Sequence, residues 1–417
     1  MKDIYDVVVI GAGAAGMMAA CTCAKRKLST LVIEQMKQEG SKILVTGKGR
    51  CNITNDCDPK EVIANVMSNG SFLYSAIYGF PPADIIDFFN SIGVETVTER
   101  GRRVFPKSGK AIDVRNALAE HMKACKAEVL KDHKVTGISR SPDGEISIYM
   151  KDKNNIDDLC FCRNCIIATG GMSYRSTGSD GSGYELARQL GHTIIPLKGA
   201  LTGLNTYQKW VSGAMGLTLK NVSLTLYKDN KELFKEQGEL LLTHFGISGP
   251  IVLTGSRYLL DTDYKNCKAV IDLKPALDEE TLYRRITKDL EENSNKQLVN
   301  SLDALLPQSL IPIIVKLSGI DPDKKSNQIS REEKNALVFL LKHLSLDVKS
   351  GMDIDDAVVT KGGIAVKEIN PSTMESKIFK NLYFAGEIID VDALTGGYNL
   401  TIAFATGRLA GKSIEAR

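Results

Sequence analysis

Residues 5–16 read YDVVVIGAGAAG, and this stretch decides the fold of the chain. The β-branched run over 5–10 predicts a short strand buried in a parallel sheet. It ends in a G-x-G-x-x-G pattern, which opens a predicted helix over 17–25. A second apolar run, 30–33, predicts another strand and stops at Glu34, 18 positions after Gly16. Strand, glycines, helix, strand and acid thus follow one another in the order of a βαβ nucleotide-binding unit.

Each part of this unit has its own task. Gly11 allows the tight turn, Gly13 lets the backbone approach a pyrophosphate, and Gly16 permits close packing of helix on strand. The helix N-terminus supplies N–H groups and a partial positive charge for phosphates, and the acid accepts hydrogen bonds from ribose hydroxyls. We therefore predict a dinucleotide site formed by Gly11, Gly13, Ala14, Ala15, Gly16, Glu34 and Gln35.

The composition is that of an ordinary globular protein. The chain has 417 residues, of which 43% are apolar and 25% charged, so a disordered or fibrous chain is excluded. This length predicts two or three domains. The net charge of +3 argues against a dedicated nucleic-acid binder. We find no apolar run long enough to span a bilayer and no secretory signal, and we expect a cytoplasmic protein.

Nine cysteines, an odd number, are typical of reduced thiols in such a protein. Cys160, Cys162 and Cys165 have the spacing of metal ligands, but no fourth ligand is near and they run into an apolar strand. We favour a structural role over a metal or redox site, and no metal is expected.

Two later segments extend the nucleotide site. Residues 164–171, NCIIATGG, predict a strand that ends near Thr169 and Gly170. Residues 382–385 predict another strand, followed by Gly386 and Glu387, and the glycines at 396–397 open a predicted helix over 400–410. The N-terminal fingerprint alone does not distinguish NAD from FAD, whereas a second strand–turn–helix element suits a long cofactor lying across the sheet. We expect Glu387 to hold ribityl hydroxyls and the helix start (Gly397, Tyr398, Asn399 and Leu400) to face the flavin pyrimidine edge.

At this point the chain resembles the flavoproteins with two dinucleotide-binding domains, with Glu387 in place of their commoner Asp. Three longer motifs narrow the resemblance: residues 46–55 (TGKGRCNITN), 243–250 (THFGISGP) and 359–363 (VTKGG). These are similar to motifs of the bacterial NAD(P)/FAD-dependent oxidoreductases of the aminoacetone oxidase-like type. That family also contains an enzyme that reduces the Δ4 and Δ6 double bonds of 3-dehydro bile acids. The matching residues extend from Gly11 to Gly397.

The resemblance implies an α/β fold with a Rossmann-like FAD-binding domain, an inserted β domain and a smaller helical insertion. The FAD-binding domain would comprise 1–196 and 373–417, and the β-rich domain 197–275 and 344–372. The helical insertion would comprise 276–343. Alternating runs in 216–275 agree with antiparallel strands, and 280–292 and 336–344 have helical patterns.

Further candidates surround the expected cofactor. We expect Gly47, Arg50, Cys51 and Asn52 to line it, with Lys48 undecided between contact and plain loop structure, and we disfavour a catalytic thiol at Cys51 because no C-x-x-C partner exists. In similar flavoproteins the backbone at the position of Val135 contacts the adenine. His244 and Tyr398 are the candidate proton donors, although a structural role is the stronger interpretation of each. Residues 178–183 favour a helix cap over a nicotinamide site.

The leading hypothesis is an FAD-dependent oxidoreductase with NAD(P)H as a transient electron donor. Its reaction would be the reduction of conjugated C=C bonds in a 3-oxo steroid or bile acid. An amine oxidase that passes electrons to oxygen is the rival within the same fold, and a non-redox flavin-binding protein acting on RNA is the alternative of another class. We expect a steroid-like or amine substrate, no nucleic acid and no membrane, and leave the oligomeric state open.

Overall fold

The computed structural model describes residues 4–141 and 143–415. The chain divides into two compact units. The first runs to Gly199 and resumes at Ile354, and the second is Ala200–Asp353. The predicted FAD-binding domain resumes at 373, whereas the first compact unit resumes at Ile354 and includes the strand Val359–Ile364.

The helices and strands follow in chain order. The strands are β1 (Tyr5–Ile10), β2 (Thr30–Ile33), β3 (Thr54–Asn55), β4 (Val66–Ser68), β5 (Thr96–Glu99), β6 (Arg103–Pro106), β7 (Glu128–Leu130), β8 (His133–Arg140), β9 (Ile146–Asp152), β10 (Asp157–Ile167), β11 (Ile194–Ala200), β12 (Leu204–Thr206), β13 (Thr218–Lys228), β14 (Lys231–Leu242), β15 (Gly246–Ser248), β16 (Cys267–Asp272), β17 (Leu344–Gly351), β18 (Val359–Ile364), β19 (Leu382–Phe384) and β20 (Asp392–Ala393). The α-helices are α1 (Ala14–Lys25), α2 (Ser41–Val45), α3 (Pro59–Ala64), α4 (Tyr74–Gly79), α5 (Pro82–Ser91), α6 (Ala111–Ala124), α7 (Ser182–Gln189), α8 (Pro250–Leu259), α9 (Glu279–Glu292), α10 (Ile311–Ser318), α11 (Arg331–Lys342) and α12 (Tyr398–Ser413).

The first unit is built on a seven-stranded sheet. Its parallel part has the order β7-β2-β1-β10-β19, with Val8 of β1 opposite Leu31 of β2 on one side and Cys165 of β10 on the other. The first half of β10 pairs antiparallel with β9, which in turn pairs with β8. The strands β1 and β2 are buried almost throughout, as strands covered on both faces must be. The carboxyl ends of β1, β10 and β19 therefore meet at one edge of the sheet.

Two helices from opposite ends of the chain pack at this sheet through small residues. A Cβ on Gly407 of α12 would lie 2.3 Å from the carbonyl oxygen of Ala15 in α1. A Cβ on Gly411 would lie 2.8 Å from the carbonyl oxygen of Ala19. The C-terminal helix is thus held directly against the helix of the glycine fingerprint.

The second unit contains a closed barrel with the order β12-β15-β14-β13-β16-β17, in which every pair is antiparallel. The predicted antiparallel strands are present, with α8 inserted among them. Its helical part contains α9, α10 and α11. The last helix begins at Arg331, earlier than the predicted Ala336, because Ser330 and Glu333 form a reciprocal capping box. The helix ends at Lys342, so Leu344 opens a strand instead.

The sequence-derived fold class is confirmed: a Rossmann-like α/β domain carries an inserted β unit and helices. Predicted element boundaries differ by a few residues. The fingerprint helix begins at Ala14 rather than Met17, and α12 spans 398–413 rather than 400–410. Within the described residues, we found no helix with the length and apolarity needed to cross a membrane.

Candidate dinucleotide site and active site

The glycine fingerprint has the geometry of a phosphate-binding turn. Gly11 has φ of 96°, and a Cβ there would lie 2.7 Å from the carbonyl oxygen of Ala168. A Cβ on Gly16 would lie only 1.9 Å from the carbonyl oxygen of Gly11. Gly13 differs from both, because a Cβ there would meet no atom within 4 Å. Two glycines are thus required by the fold, whereas the third leaves open space in front of the α1 N-terminus.

Glu34 is held at the end of β2 by the backbone. Its carboxylate accepts hydrogen bonds from Ala12 N (2.7 Å) and Met36 N (2.8 Å), and the residue is 8% exposed. Burial raises the pKa of Glu34, against the opposing effect of these N–H donors. Just beyond it, an open cleft of about 600 Å³ is lined by Gln35, Met36, Lys37, Gln38, Ser41 and Asp132. The Glu34 carboxylate is therefore fixed by the backbone, and the residues that follow it line a cleft.

The loop at 178–183 and strand β8 lie beside this cleft. Gln35 Nε2 donates to the carbonyl oxygen of Gly178 at 2.5 Å, and Lys134, next to the buried Val135, pairs with Asp180 at 2.7 Å. Burial opposes the ionisation of Asp180, but hydrogen bonds from Lys134 and Ser182 hold its pKa at about 2. Asp180 accepts from Ser182 N at the start of α7, whereas the N-cap residue of this helix is Gly181, so the predicted side-chain cap is not formed. The structure thus brings Glu34, Gln35 and Val135 into one neighbourhood.

Thr169 and Gly170 follow β10 at the same edge of the sheet. Gly170 has φ of 76°, and the hydroxyl oxygen of Thr169 is buried without a hydrogen-bond partner. A Cβ on Gly183 would lie 1.9 Å from that hydroxyl oxygen. The two candidates therefore lie in a tight turn packed against the start of α7.

The loop at 46–52 has an unusual backbone. Gly47, Lys48 and Cys51 all have φ between 55° and 60°. The Cys51 side chain is fully buried, and burial raises its thiol pKa to about 12, which disfavours a reactive thiol. Arg50 stacks on Phe105, 4.3 Å from the ring centre, and pairs with Glu99. Asn52 is the member of the loop whose buried Oδ1 has no partner.

The α12 N-terminus is set by two glycines. Gly396 and Gly397 have φ of 127° and 102°, and a Cβ on Gly397 would lie 2.4 Å from the carbonyl carbon of Thr54. The Asn399 side chain bonds the backbone of Ala393 and Leu394, so the predicted cofactor contact at Asn399 would come from its backbone N–H. Leu400 lies in the same first turn.

Glu387 is the centre of a network that sequence reasoning missed in part. Its Oε2 lies 2.7 Å from Lys42 Nζ, and its Oε1 accepts from Thr360 N (2.7 Å) and from Ser173 Oγ (3.2 Å). Gly386, with φ of 79°, directs the chain into this position. No local pattern links Lys42 to Glu387, because they are 345 residues apart in sequence.

The two predicted proton donors lie in different units. Tyr398 is 7% exposed in the first unit, and burial raises its phenol pKa to about 12, with the charges of Glu61 and Arg102 acting in opposite directions. His244 lies in the second unit, exposed in the turn between β14 and β15, with its ring edge-on to Phe245 at 5.1 Å. Tyr398 adjoins the predicted cofactor residues in sequence and structure, whereas His244 does not share their unit.

These residues fit FAD by several independent features. The open space at Gly13 suits a pyrophosphate, and Glu34 is an acid placed for ribose hydroxyls. Thr169 and Asn52 offer buried polar atoms without protein partners. These two are among seven such atoms in the described part of the chain, and they are the ones on residues predicted to contact the cofactor, where a ligand would complete their hydrogen bonds.

Comparison with known proteins indicates an FAD-dependent oxidoreductase. The chain belongs to the HI0933-like family, whose Rossmann-domain model (HI0933-like protein Rossmann domain) matches residues 5–413. It is 30% identical to the 3-dehydro-bile acid delta(4,6)-reductase of Clostridium scindens over 413 residues, which cover 98% of each chain. It is also 30% identical to the ribosomal RNA dihydrouridine synthase of Haemophilus influenzae over the whole of both chains, and 29% to that of Escherichia coli over 96% of each.

Solved structures with the same fold include two ketosteroid dehydrogenases. The 3-ketosteroid-Δ4-(5α)-dehydrogenase of Rhodococcus jostii RHA1 has a TM-score of 0.52 and 16% identity, over 99% of this chain and 97% of that chain. The 3-ketosteroid Δ1-dehydrogenase of Sterolibacterium denitrificans has a TM-score of 0.53 and 12% identity, over 99% of each chain. At these identities the likeness establishes the fold alone.

Proposed function

We propose that this protein reduces a carbon–carbon double bond conjugated to a carbonyl group, with NAD(P)H as the transient electron donor. The observation that carries the proposal is full-length similarity to two kinds of relative whose names describe such a reaction. In a 3-dehydro-Δ4,6 bile acid the double bonds are conjugated to the 3-oxo group. Dihydrouridine is uridine whose ring double bond, next to a carbonyl, has been reduced.

The chain's own residues would bind and orient the reactants. FAD, when bound, supplies hydride transfer, and the α1 N-terminus, Glu34 and the α12 N-terminus would hold it. Addition of hydride to one carbon of the double bond must be matched by a proton at the adjacent carbon. Tyr398 is the first residue of α12, beside the glycines expected at the flavin, and its phenol is protonated at neutral pH as any tyrosine is. We assign the proton donor to Tyr398 in preference to His244.

A steroid-like substrate is the preferred version of this proposal. Residues 200–353 carry 20 Lys and Arg residues and 20 Asp and Glu residues, so the second unit has no net charge. A protein that binds an RNA backbone usually has a basic surface that neutralises phosphates. Neutrality of the inserted unit supports a small apolar substrate.

Uridine in ribosomal RNA is the second candidate, because two relatives that span 96–100% of this chain have that name. On this proposal the protein would act on RNA by reducing uridine, in place of the non-redox RNA-binding role considered from the sequence. Reduction of the uracil ring would use the same FAD and proton-donor residues as reduction of a steroid. The two candidates differ in substrate and not in chemistry.

Anaerobic spectroscopy separates these candidates. We expect the visible flavin band of the FAD-loaded protein to bleach with NADH or NADPH and to recover on addition of a 3-oxo-4,6-diene bile acid. Recovery with unmodified ribosomal RNA alone, weakened by salt, would transfer the assignment to uridine. Recovery with oxygen alone, after reduction by an amine, would establish an oxidase. Absence of bleaching with either nicotinamide would refute the NAD(P)H-driven mechanism.

The proton-donor assignment has its own matched pair of variants. We expect Tyr398→Phe to leave the nicotinamide-dependent bleaching intact and to slow the recovery by about a hundredfold or more, within the range for a lost general acid. His244→Gln should change neither step. Equal recovery rates for Tyr398→Phe and the native protein would assign the proton to water or to another group.

A further inference from the structure

We infer that Lys42 is a positioning residue for the cofactor: it neutralises Glu387 and, with it, binds the polyol section of FAD. This inference rests on the FAD chemistry of the proposed function, but not on any particular substrate. Lys42 lies in α2, outside every motif that predicted the site. It is therefore an addition to the residues assigned above.

The contacts of Lys42 are those of a fixed side chain. Its Nζ donates to Glu387 Oε2 at 2.7 Å and to Ser173 Oγ at 2.8 Å. Ser173 is fully buried and itself donates to Glu387 Oε1. Thr360 N supplies a further hydrogen bond to the same oxygen. The ammonium group and the carboxylate are thus locked together by four segments of the first unit.

Counting donors and acceptors shows what the pair still offers. An ammonium group has three N–H donors, and Lys42 uses two of them. Each carboxylate oxygen accepts about two hydrogen bonds, and Glu387 Oε2 accepts one, from Lys42. The side chains of Lys42 and Glu387 are 21% and 20% exposed, so a ligand can reach the remaining donor and acceptor positions. A donor beside an acceptor is the complement of a hydroxyl group, and the ribityl chain is a row of hydroxyls.

The position of Lys42 and the negative charge of FAD explain why a cation is needed beside Glu387. Gly40, two residues before Lys42, donates its N–H to the carbonyl oxygen of Ala12 at 2.8 Å, which ties α2 to the phosphate-binding turn. The pyrophosphate of FAD is an anion, so an uncompensated carboxylate at Glu387 would repel it. Lys42 removes that repulsion and leaves the acceptor available.

The experiment measures FAD binding to the FAD-free full-length chain by quenching of flavin fluorescence, at neutral pH and without nicotinamide or substrate. We expect Lys42→Met to weaken binding by about tenfold or more, since it leaves Glu387 unpaired. Lys123→Met, a change at an exposed lysine of α6, is the control and should bind FAD like the native protein.

A second set of variants, made in the Glu387→Gln protein, isolates the effect of the Glu387 charge. In Glu387→Gln, the further change Lys42→Met should cost several-fold less than the same change in the native protein, because no carboxylate remains to neutralise and only the direct N–H contact is lost. Lys42→Gln keeps a donor without charge and should also weaken FAD binding in the native background, so it serves as a second variant if Lys42→Met does not fold. An equal loss in both backgrounds, or no loss at all, would overturn the inference. Since no turnover is measured, failure of the proposed reaction would leave this result unaffected.

Discussion

The three glycines of the fingerprint should respond to alanine in different ways. Gly16→Ala places a Cβ 1.9 Å from the carbonyl oxygen of Gly11, where contacts closer than 3.0 Å essentially do not occur. The backbone must therefore move by more than about 1 Å. Overpacking of this kind costs about 1–3 kcal/mol, which lowers the Tm of a unit of this size by about 2–12 °C.

Gly13→Ala should leave the stability of the FAD-free protein unchanged and weaken its binding of FAD. The backbone of Gly13 has φ of −77° and ψ of −171°, which alanine adopts, and its Cβ would meet nothing within 4 Å. The methyl group would occupy the space through which the pyrophosphate reaches the α1 N-terminus. Loss of one charge-assisted hydrogen bond costs about 1.5–3 kcal/mol, so FAD should bind about tenfold to a hundredfold more weakly.

Two measurements on each variant test this reasoning: thermal unfolding of the FAD-free protein and FAD affinity from fluorescence quenching. Gly79→Ala, at the last residue of α4 with open space around it, is the matched control and should unfold no earlier than the native protein. Native FAD affinity in Gly13→Ala would refute the assignment of the phosphate site. An unchanged Tm in Gly16→Ala would refute the steric argument.

Three further predictions concern other parts of the first unit. Burial lowers the pKa of His192 below its ordinary 6.5, so the unfolded protein takes up a proton at this residue first and stability is lost as the pH falls through 6.5. The urea midpoint of the native protein should therefore drop more between pH 7.5 and 5.5 than that of His192→Gln. Parallel drops in the two proteins would contradict this prediction. Cys51 should resist alkylation at pH 8 in the folded protein, and Cys51→Ala should retain turnover; labelling without unfolding, seen by mass spectrometry, would show that the thiol is reactive. Gly407→Ala should destabilise the protein by about 1–3 kcal/mol in urea, because its Cβ would lie 2.3 Å from the Ala15 carbonyl oxygen, whereas a gain would show that helix propensity outweighs that contact.

Much of the fold could be predicted from the sequence because its constraints are local. A β-branched run, a glycine turn and an acid at fixed spacing allow few backbones, and the structure confirms the parallel strands and helix they predicted. Boundaries were less well determined. Helix α11 begins five residues earlier than predicted, because the capping box at Ser330 outweighs the hydrophobic pattern that starts near Ala336.

The residues of the candidate site likewise fall into those that the sequence could identify and those that it could not. Gly11, Gly13, Gly16 and Glu34 could be assigned because each meets a requirement of the backbone beside it. The sequence did not reveal that the Asn399 amide is occupied by Ala393 and Leu394, or that Arg50 is paired with Glu99. Those side chains have polar groups suited to a cofactor, and only their neighbours show that the groups are in use.

By itself, then, the sequence determined the α/β fold, the family and the glycine turn, since these depend on residues close together in the chain. Only the tertiary structure decided which polar atoms have partners and which do not. Lys42 meets Glu387 across 345 residues because α2 and the turn after β19 meet at one edge of the sheet. Such a contact depends on the packing of whole elements, and no spacing along the chain encodes it.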